Sequence, residues 1–402
     1  MDRRTLAGLV VFNTVLAQRR GLFWVYFPVY LADLTDSKTV IGLGITGPML
    51  VGSLCGVFWG YLSDKTGKRR VLLVMSEVIA GIGFLVLAGV EEVYTLIVGL
   101  SLLEVFWSAG SPAFSALVAD TTKVGERGVA MGIINMVAGL GRSAGIWVAG
   151  ILIKPYGFRL LFYISASLMF LAAVLAQLLV REPGLPTSDK HTNLKKKLAT
   201  MREDTGFLRF SLAIATRFLG FGSFMMLFNV FLREQLGFNV LQIGYVSIGM
   251  VLVLTMSTIP AGVLGERFGK EKVLRVALAG SAILIFSFTL VKEFLPVLIL
   301  RSLSALPTAF VLTLAPAIVM DMSRRGSRAT YMGVFEMGNS FAWGIGPVIG
   351  GLIVDFVNSY NTLFYFASAM QIVAISILLT SRGVTSQPLR EQRTMSTDNL
   401  DW

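Results

Sequence analysis

The chain has 402 residues, of which 54% are hydrophobic and 15% charged, and its net charge is +11. A soluble globular chain carries about 25% charged residues; this deficit, with a mean hydropathy of +0.72, is that of a polytopic membrane protein. A single cysteine, Cys55, excludes an internal disulfide, and with a single histidine, His191, no metal or cofactor framework can be assembled from these types.

Spanning a bilayer takes about 20 apolar residues. Twelve segments meet that length, at roughly 6–32, 39–62, 71–90, 94–119, 128–153, 158–181, 207–233, 240–264, 273–292, 294–320, 329–355 and 361–381. The first run is too long for a cleavable signal peptide and no small-residue cleavage site follows it. The longest polar stretch, "REPGLPTSDKHTNLKKKLATMRED", separates the sixth span from the seventh. The expected organisation is a six-helix bundle over 1–181, a linker over 182–206, a second six-helix bundle over 207–381 and a polar tail over 382–402.

Lys and Arg orient the chain. One set of connections carries only Lys38, Lys154, Arg159, Arg233 and Lys292. The alternate set, with both termini, carries most of the rest, in "DKTGKRR", "KVGER", the linker, "ERFGKEK" and "SRRGSR". Cytoplasmic loops hold the basic excess, so both termini and the linker are expected in the cytoplasm of a plasma-membrane protein. The positive charge then reports topology, not nucleic-acid binding.

The two halves repeat. "GYLSDKTGKRRVL" from Gly60 answers to "GVLGERFGKEKVL" from Gly262, "DTTKVGERGVAMGIINM" from Asp120 to "DMSRRGSRATYMGVFEM" from Asp321, and "LFYISA" at 161 to "LFYFAS" at 363, at offsets of 201 or 202. A duplicated six-helix unit places a transporter's site near the midplane between the repeats.

The loop after the second span, Gly60, Asp64, Lys65, Gly67, Lys68, Arg69 and Arg70, resembles the hallmark G-x-L-x-D-R-x-G-R-K/R loop of the major facilitator superfamily. Its weaker copy, Gly262, Glu266, Arg267, Gly269 and Lys270, falls between the eighth and ninth spans, as it does in that family. The resemblance covers the whole chain. It implies two pseudo-symmetric all-α bundles of six transmembrane helices, rocking around a central cavity lined by spans 1, 4, 7 and 10, and acting as a monomer. It also implies that Asp64 latches the outward-facing state against the N-terminus of span 11. From the residues alone, Gly60 permits close helix approach and Gly67 a tight turn. Lys68, Arg69 and Arg70 would meet lipid headgroups or acids such as Asp120; a solvated basic loop that only fixes topology is the alternative. Two marks of the family's drug antiporters are missing: Leu100 stands where span 4 would carry an arginine, and Gly145-Ile146 where span 5 would carry Gly-Pro.

Charges at bilayer depth cost about 2.5–3.5 kcal/mol each on insertion scales and mark pathways. Arg19 and Arg20 in span 1, Arg142 in span 5, Arg217 in span 7 and Arg301 in span 10 lie deep, as do Glu104 in span 4 and Glu336 in span 11; Glu77 lies about two turns into span 3. The repeat sets Arg20 and Arg217 on equivalent faces, one turn apart in depth, as a two-arginine clamp. Guanidinium groups recognise carboxylate or phosphate bidentately, so the expected substrate is a small organic anion carried by proton symport or exchange, with Arg19, Arg301 and Arg142 as further contacts. Arg142, beside glycines, is equally a structural bridge to Glu104. Glu104 and Glu336 are the candidate proton carriers or counter-ions. The alternatives are a proton-coupled drug or amphiphile exporter and a lipid-headgroup flippase. No nucleophile–base pair or phosphate-cradling loop points to an enzyme.

Overall fold

The structure is a computed structural model. It describes residues 3–122, 127–182, 203–323 and 328–380; within these, the side chains of residues 3, 4, 64, 119, 120, 127–131 and 328–330 lie outside the described set. Among the described residues there are helices and no strands, as lipid demands: with no water to satisfy backbone groups, each spanning segment must close its own hydrogen bonds.

The first half holds α1 (Arg3–Leu34), α2 (Lys38–Thr66), α3 (Arg69–Leu87), α4 (Val93–Trp107), α5 (Gly110–Thr121), α6 (Arg127–Tyr156) and α7 (Arg159–Leu179). The second holds α8 (Thr205–Met225), α9 (Phe228–Glu234), α10 (Val240–Phe268), α11 (Lys270–Ser287), α12 (Phe294–Leu303), α13 (Ala305–Met322), α14 (Arg328–Val357) and α15 (Tyr360–Thr380). Three predicted spans are each two helices: the fourth (α4, α5), the seventh (α8, α9) and the tenth (α12, α13). Among the described residues, ten spans are long and apolar enough to cross a membrane by length and composition alone. The other two are α1, which carries Arg19 and Arg20, and α11, which opens with Lys270, Glu271 and Lys272. The chain is therefore a polytopic all-α membrane protein of twelve spans in two six-span halves.

The internal repeat is structural. Residues 93–121 and 294–322 form the fourth and tenth spans, and α6, α7 reappear as α14, α15, each bound shifted by 201. Turn chemistry repeats too. α2 ends at Gly67, left-handed at φ 64°, whose N–H donates to the Ser63 carbonyl, and α10 ends at Gly269, φ 91°. α6 is followed by Gly157 at φ 76° and α14 by Asn358 at φ 54°, both in the region open to Gly and tolerated by Asn.

Packing shows where the halves meet. One continuous core joins both halves at the end of the molecule away from Arg3, and takes in Phe23, Phe27, Phe84, Phe162, Phe224, Phe228 and Phe364. Near the termini the core splits in two, one part around Phe12 and Leu117 and the other around Phe207 and Ile318. The molecule is thus closed at one end and cleft at the other.

Candidate functional site

The closed end is built by α2 lying on α14 and α6 on α10, across the halves. A Cβ on Gly42 would overlap the Pro347 backbone, and one on Gly351 would overlap that of Lys38; only glycine allows these backbones so near. Polar contacts then seal the rim. Asp355 accepts from the backbone N–H groups of Lys38 (2.8 Å) and Thr39 (2.9 Å) and from the Ser37 hydroxyl (2.8 Å). Lys38 pairs with Glu234 at 2.7 Å, Arg233 with Asp33 at 2.8 Å, and Tyr360 donates to Glu234 at 2.8 Å. Asn229 donates to the Val25 carbonyl across the halves.

Beyond Gly344, beside Leu50, and Gly139, beside Thr255, the halves part. The same helix faces continue toward the termini as Leu54, Val57 and Tyr61 of α2, Met136 of α6, Ile259 of α10, and Met337 and Phe341 of α14, all exposed. Gly56, Gly132, Gly333 and Gly338 have no neighbour within 4 Å of an added Cβ. This is a cleft with apolar, methionine-bearing walls.

The five intramembrane arginines separate into two classes. Arg19 and Arg217 are 0% exposed and Arg301 is 3% exposed. Arg19 lies over the Trp107 ring at 3.9 Å and Phe84 at 5.7 Å. Arg217 lies over Phe221 at 4.3 Å and Phe218 at 4.8 Å and donates to Thr308 at 3.1 Å. Arg301 lies over Phe228 at 4.4 Å and Phe224 at 5.3 Å. A desolvated cation over a ring is worth about 2 kcal/mol, so each half shelters its buried cations in its own aromatic interior. Arg20 is exposed and Arg142 half-buried. These two are mutual electrostatic neighbours, and Arg20 also feels Glu104 and Glu77; they border the cleft.

This corrects the two-arginine clamp. Arg20 reaches the opening, but Arg217 is sealed behind Phe221 and Phe218, so the two do not face one volume in this conformation. Leu16 and Phe23, the neighbours of Arg20 on its expected stripe, are buried; the helical spacing held the backbone positions but not where the long side chain turned. Nor is Arg142 bridged to Glu104: no ion pair within 4.0 Å joins them among the described residues, and Arg142 Nε has no hydrogen-bond partner.

Glu104 is half-buried against α2, its Oε2 3.0 Å from where a Cβ on Gly52 would stand. Glu336 is exposed, and Asn339 one turn on is buried with its Oδ1 unpartnered. Glu77, about two turns into span 3, is sealed in the interior. It is 1% exposed, interacts with the Trp107 indole, and leaves Oε2 without a partner. Only its position one turn below the "AGIGF" stretch hinted at burial.

In the loop after α2, Arg70 donates its backbone N–H to the Glu182 carboxylate at 3.1 Å, and Arg69 reaches the Ala116 carbonyl at 3.3 Å. Lys65 and Lys68 are exposed. A Cβ on Gly60 would make only ordinary contact with Pro112 at 3.7 Å, so no close helix approach depends on Gly60. The side chains of Asp64 and Asp120 lie outside the described residues. In the second copy Lys270 binds Asp321 at 2.8 Å and Glu266 at 2.9 Å, and Arg267 lies over Phe268. Gly262 has only Thr313 at 3.9 Å. No cluster of three metal-ligating side chains occurs among the described residues.

Residues 9–209 and 210–398 each match the Major Facilitator Superfamily. The chain belongs to that family. It is a secondary transporter of small molecules and not an enzyme. It is 26% identical over 367 residues to multidrug resistance protein MdtG of Rahnella sp. (strain Y9602), covering 88% of this chain and 87% of that one. To multidrug resistance protein 2 of Bacillus subtilis (strain 168) it is 24% identical over 386 residues, covering 89% and 90%. Among solved structures, a bacterial homolog of the human lysosomal transporter Spinster, inward-facing and occupied, superposes with a TM-score of 0.79 at 16% identity, over 94% of this chain and 96% of that one. The nucleoside transporter NupG gives 0.74 at 14% identity, over 95% and 100%. At those identities the likeness is one of fold.

Proposed function

We propose that this transporter exports amphiphilic organic compounds across the plasma membrane, exchanging them for protons, and that the chain is a monomer with both termini cytoplasmic. With that orientation the conformation is open to the cytoplasm, and the bundles 1–181 and 207–381 rock about the seam between them. The observation that carries the substrate reading is the sealing of Arg19, Arg217 and Arg301 among aromatic rings, which leaves the cleft without the cationic excess an anion site needs. Its apolar walls suit amphiphiles; methionine's flexible thioether adapts to varied shapes. The names of the relatives, multidrug resistance proteins, agree with this.

An organic-anion substrate is the second reading, favoured by Arg20 and Arg142 beside the opening. The two separate in one experiment. Ligands that bind the native state raise its apparent stability. Thermal unfolding of the purified protein is followed with ethidium, tetraphenylphosphonium, or a panel of di- and tricarboxylates. Stabilisation by the two cations, unchanged in Arg20→Gln and Arg142→Gln, supports the amphiphile reading. Stabilisation by a carboxylate alone, lost in both variants, replaces it with the anion reading.

A further inference from the structure

Glu77 and Arg19 are buried ions of the first half that the cleft does not use. Both are sealed from solvent. Neither is in an ion pair within 4.0 Å among the described residues, and all three Arg19 nitrogens lack a hydrogen-bond partner. Trp107 meets both: its ring face lies 3.9 Å from the Arg19 guanidinium, and its indole interacts with the Glu77 carboxylate. Among the described residues, the charged groups in electrostatic reach of Glu77 are Arg19 and Arg20 from α1 and Glu104 from α4.

An isolated carboxylate in an apolar interior is costly, and a bound proton turns it into a hydrogen-bonding neutral acid. An isolated guanidinium has no such escape, because it keeps its proton. The pair therefore has two self-consistent arrangements. In one, Glu77 holds the proton and Arg19 rests on Trp107; in the other, Glu77 has lost the proton and Arg19 takes its place.

From this geometry we propose that Glu77 is the proton-binding carboxyl group of the transport cycle, with Arg19 as its competitor and Trp107 as the separator that holds them apart while the cleft is open. The proposal rests on the proton-exchange reading above and names the site of that exchange. The proton binds at a Glu77 carboxylate oxygen and leaves to water when the cluster opens on the other side. Pairing with Arg19 then draws α1 toward α3, and this difference between the two states couples protonation to closure.

The test needs no substrate. In a Cys55→Ser background, spin labels are placed at Tyr61→Cys and Val263→Cys, exposed positions on opposite halves at the open end. Pulsed-EPR distance distributions are recorded in nanodiscs from pH 5.5 to 9. The expected result is a shift from the long to the short distance as pH rises. It is absent in Glu77→Gln, which stays long at every pH, and present in Glu77→Asp. Arg19→Gln, lacking the competitor whose pairing drives closure, either loses the shift or moves its midpoint upward by about one pH unit or more, a tenfold change in proton affinity. A wild-type shift that survives in Glu77→Gln, or one abolished only by Glu104→Gln, overturns the assignment to Glu77 while leaving proton exchange in place. An unmoved midpoint in Arg19→Gln overturns the competition. A wild type that ignores pH overturns both the assignment and the exchange reading.

Discussion

Asp355, near the end of α14, accepts the backbone N–H of Lys38 at the start of α2, 2.8 Å away across the seam between the halves. It is a helix cap supplied by the opposite bundle. The first orphan N–H groups of α2 need acceptors, the positive helix end favours a carboxylate, and rocking must break both contacts. The family resemblance implies the reciprocal arrangement at the other end, with Asp64 at the end of α2 facing the start of span 11.

Asp355→Asn should weaken that seal without unfolding the protein. A lost cap costs about 1 kcal/mol, several-fold in the ratio of open to closed at this end. Accessibility to a membrane-impermeant thiol reagent at Ser37→Cys, in the Cys55→Ser background, should rise several-fold. Unchanged labelling would mean that the cap does not contribute to closure.

Gly145→Ala should be among the most damaging single-methyl changes. A Cβ there would overlap the Gln18 carbonyl of α1, and backbone cannot give way as a side chain tip can; overpacking typically costs about 1–3 kcal/mol. Gly132→Ala, with nothing within 4 Å, should be neutral or stabilising by up to about 1 kcal/mol through helix propensity. Melting temperatures in detergent check both, and equal values for the two variants would contradict the packing.

Lys270 lies before the apolar part of its span, and hydrogen bonds to Asp321 and Glu266 raise its pKa above the ordinary 10.5. A raised value means that the contribution to stability is fully present below the unfolded value and is lost only as pH climbs through the higher folded one. Lys270→Gln should therefore lower the melting temperature by the same amount at pH 7, 8 and 9, and the gap should close only in stronger alkali. A gap that narrows between pH 7 and 9 would assign the effect to another group.

Arg301→Met tests whether a buried cation is structural. Arg301 Nη1 has no partner, and replacing a buried charge by an apolar side chain of similar length is often neutral or stabilising. The variant should melt at or above the wild-type temperature. A fall of several degrees would show that its stacking on Phe224 and Phe228 outweighs its desolvation.

The sequence by itself determined the number of spans, the two-fold repeat and the turn at Gly67. These follow from local physics: apolar length, a constant offset and the need for a left-handed residue. It also located every intramembrane charge. It did not determine which of them meets the cleft. Arg19 and Arg20 are neighbours in the chain, yet one is sealed over Trp107 and the other exposed, and Arg217 stacks on Phe221 inside its own half. A guanidinium at the end of a long flexible side chain goes where rings, carboxylates and water are placed by other helices. Only the packing of α1 against α3, α4 and α6, and of α8 against α13 and α14, decided that.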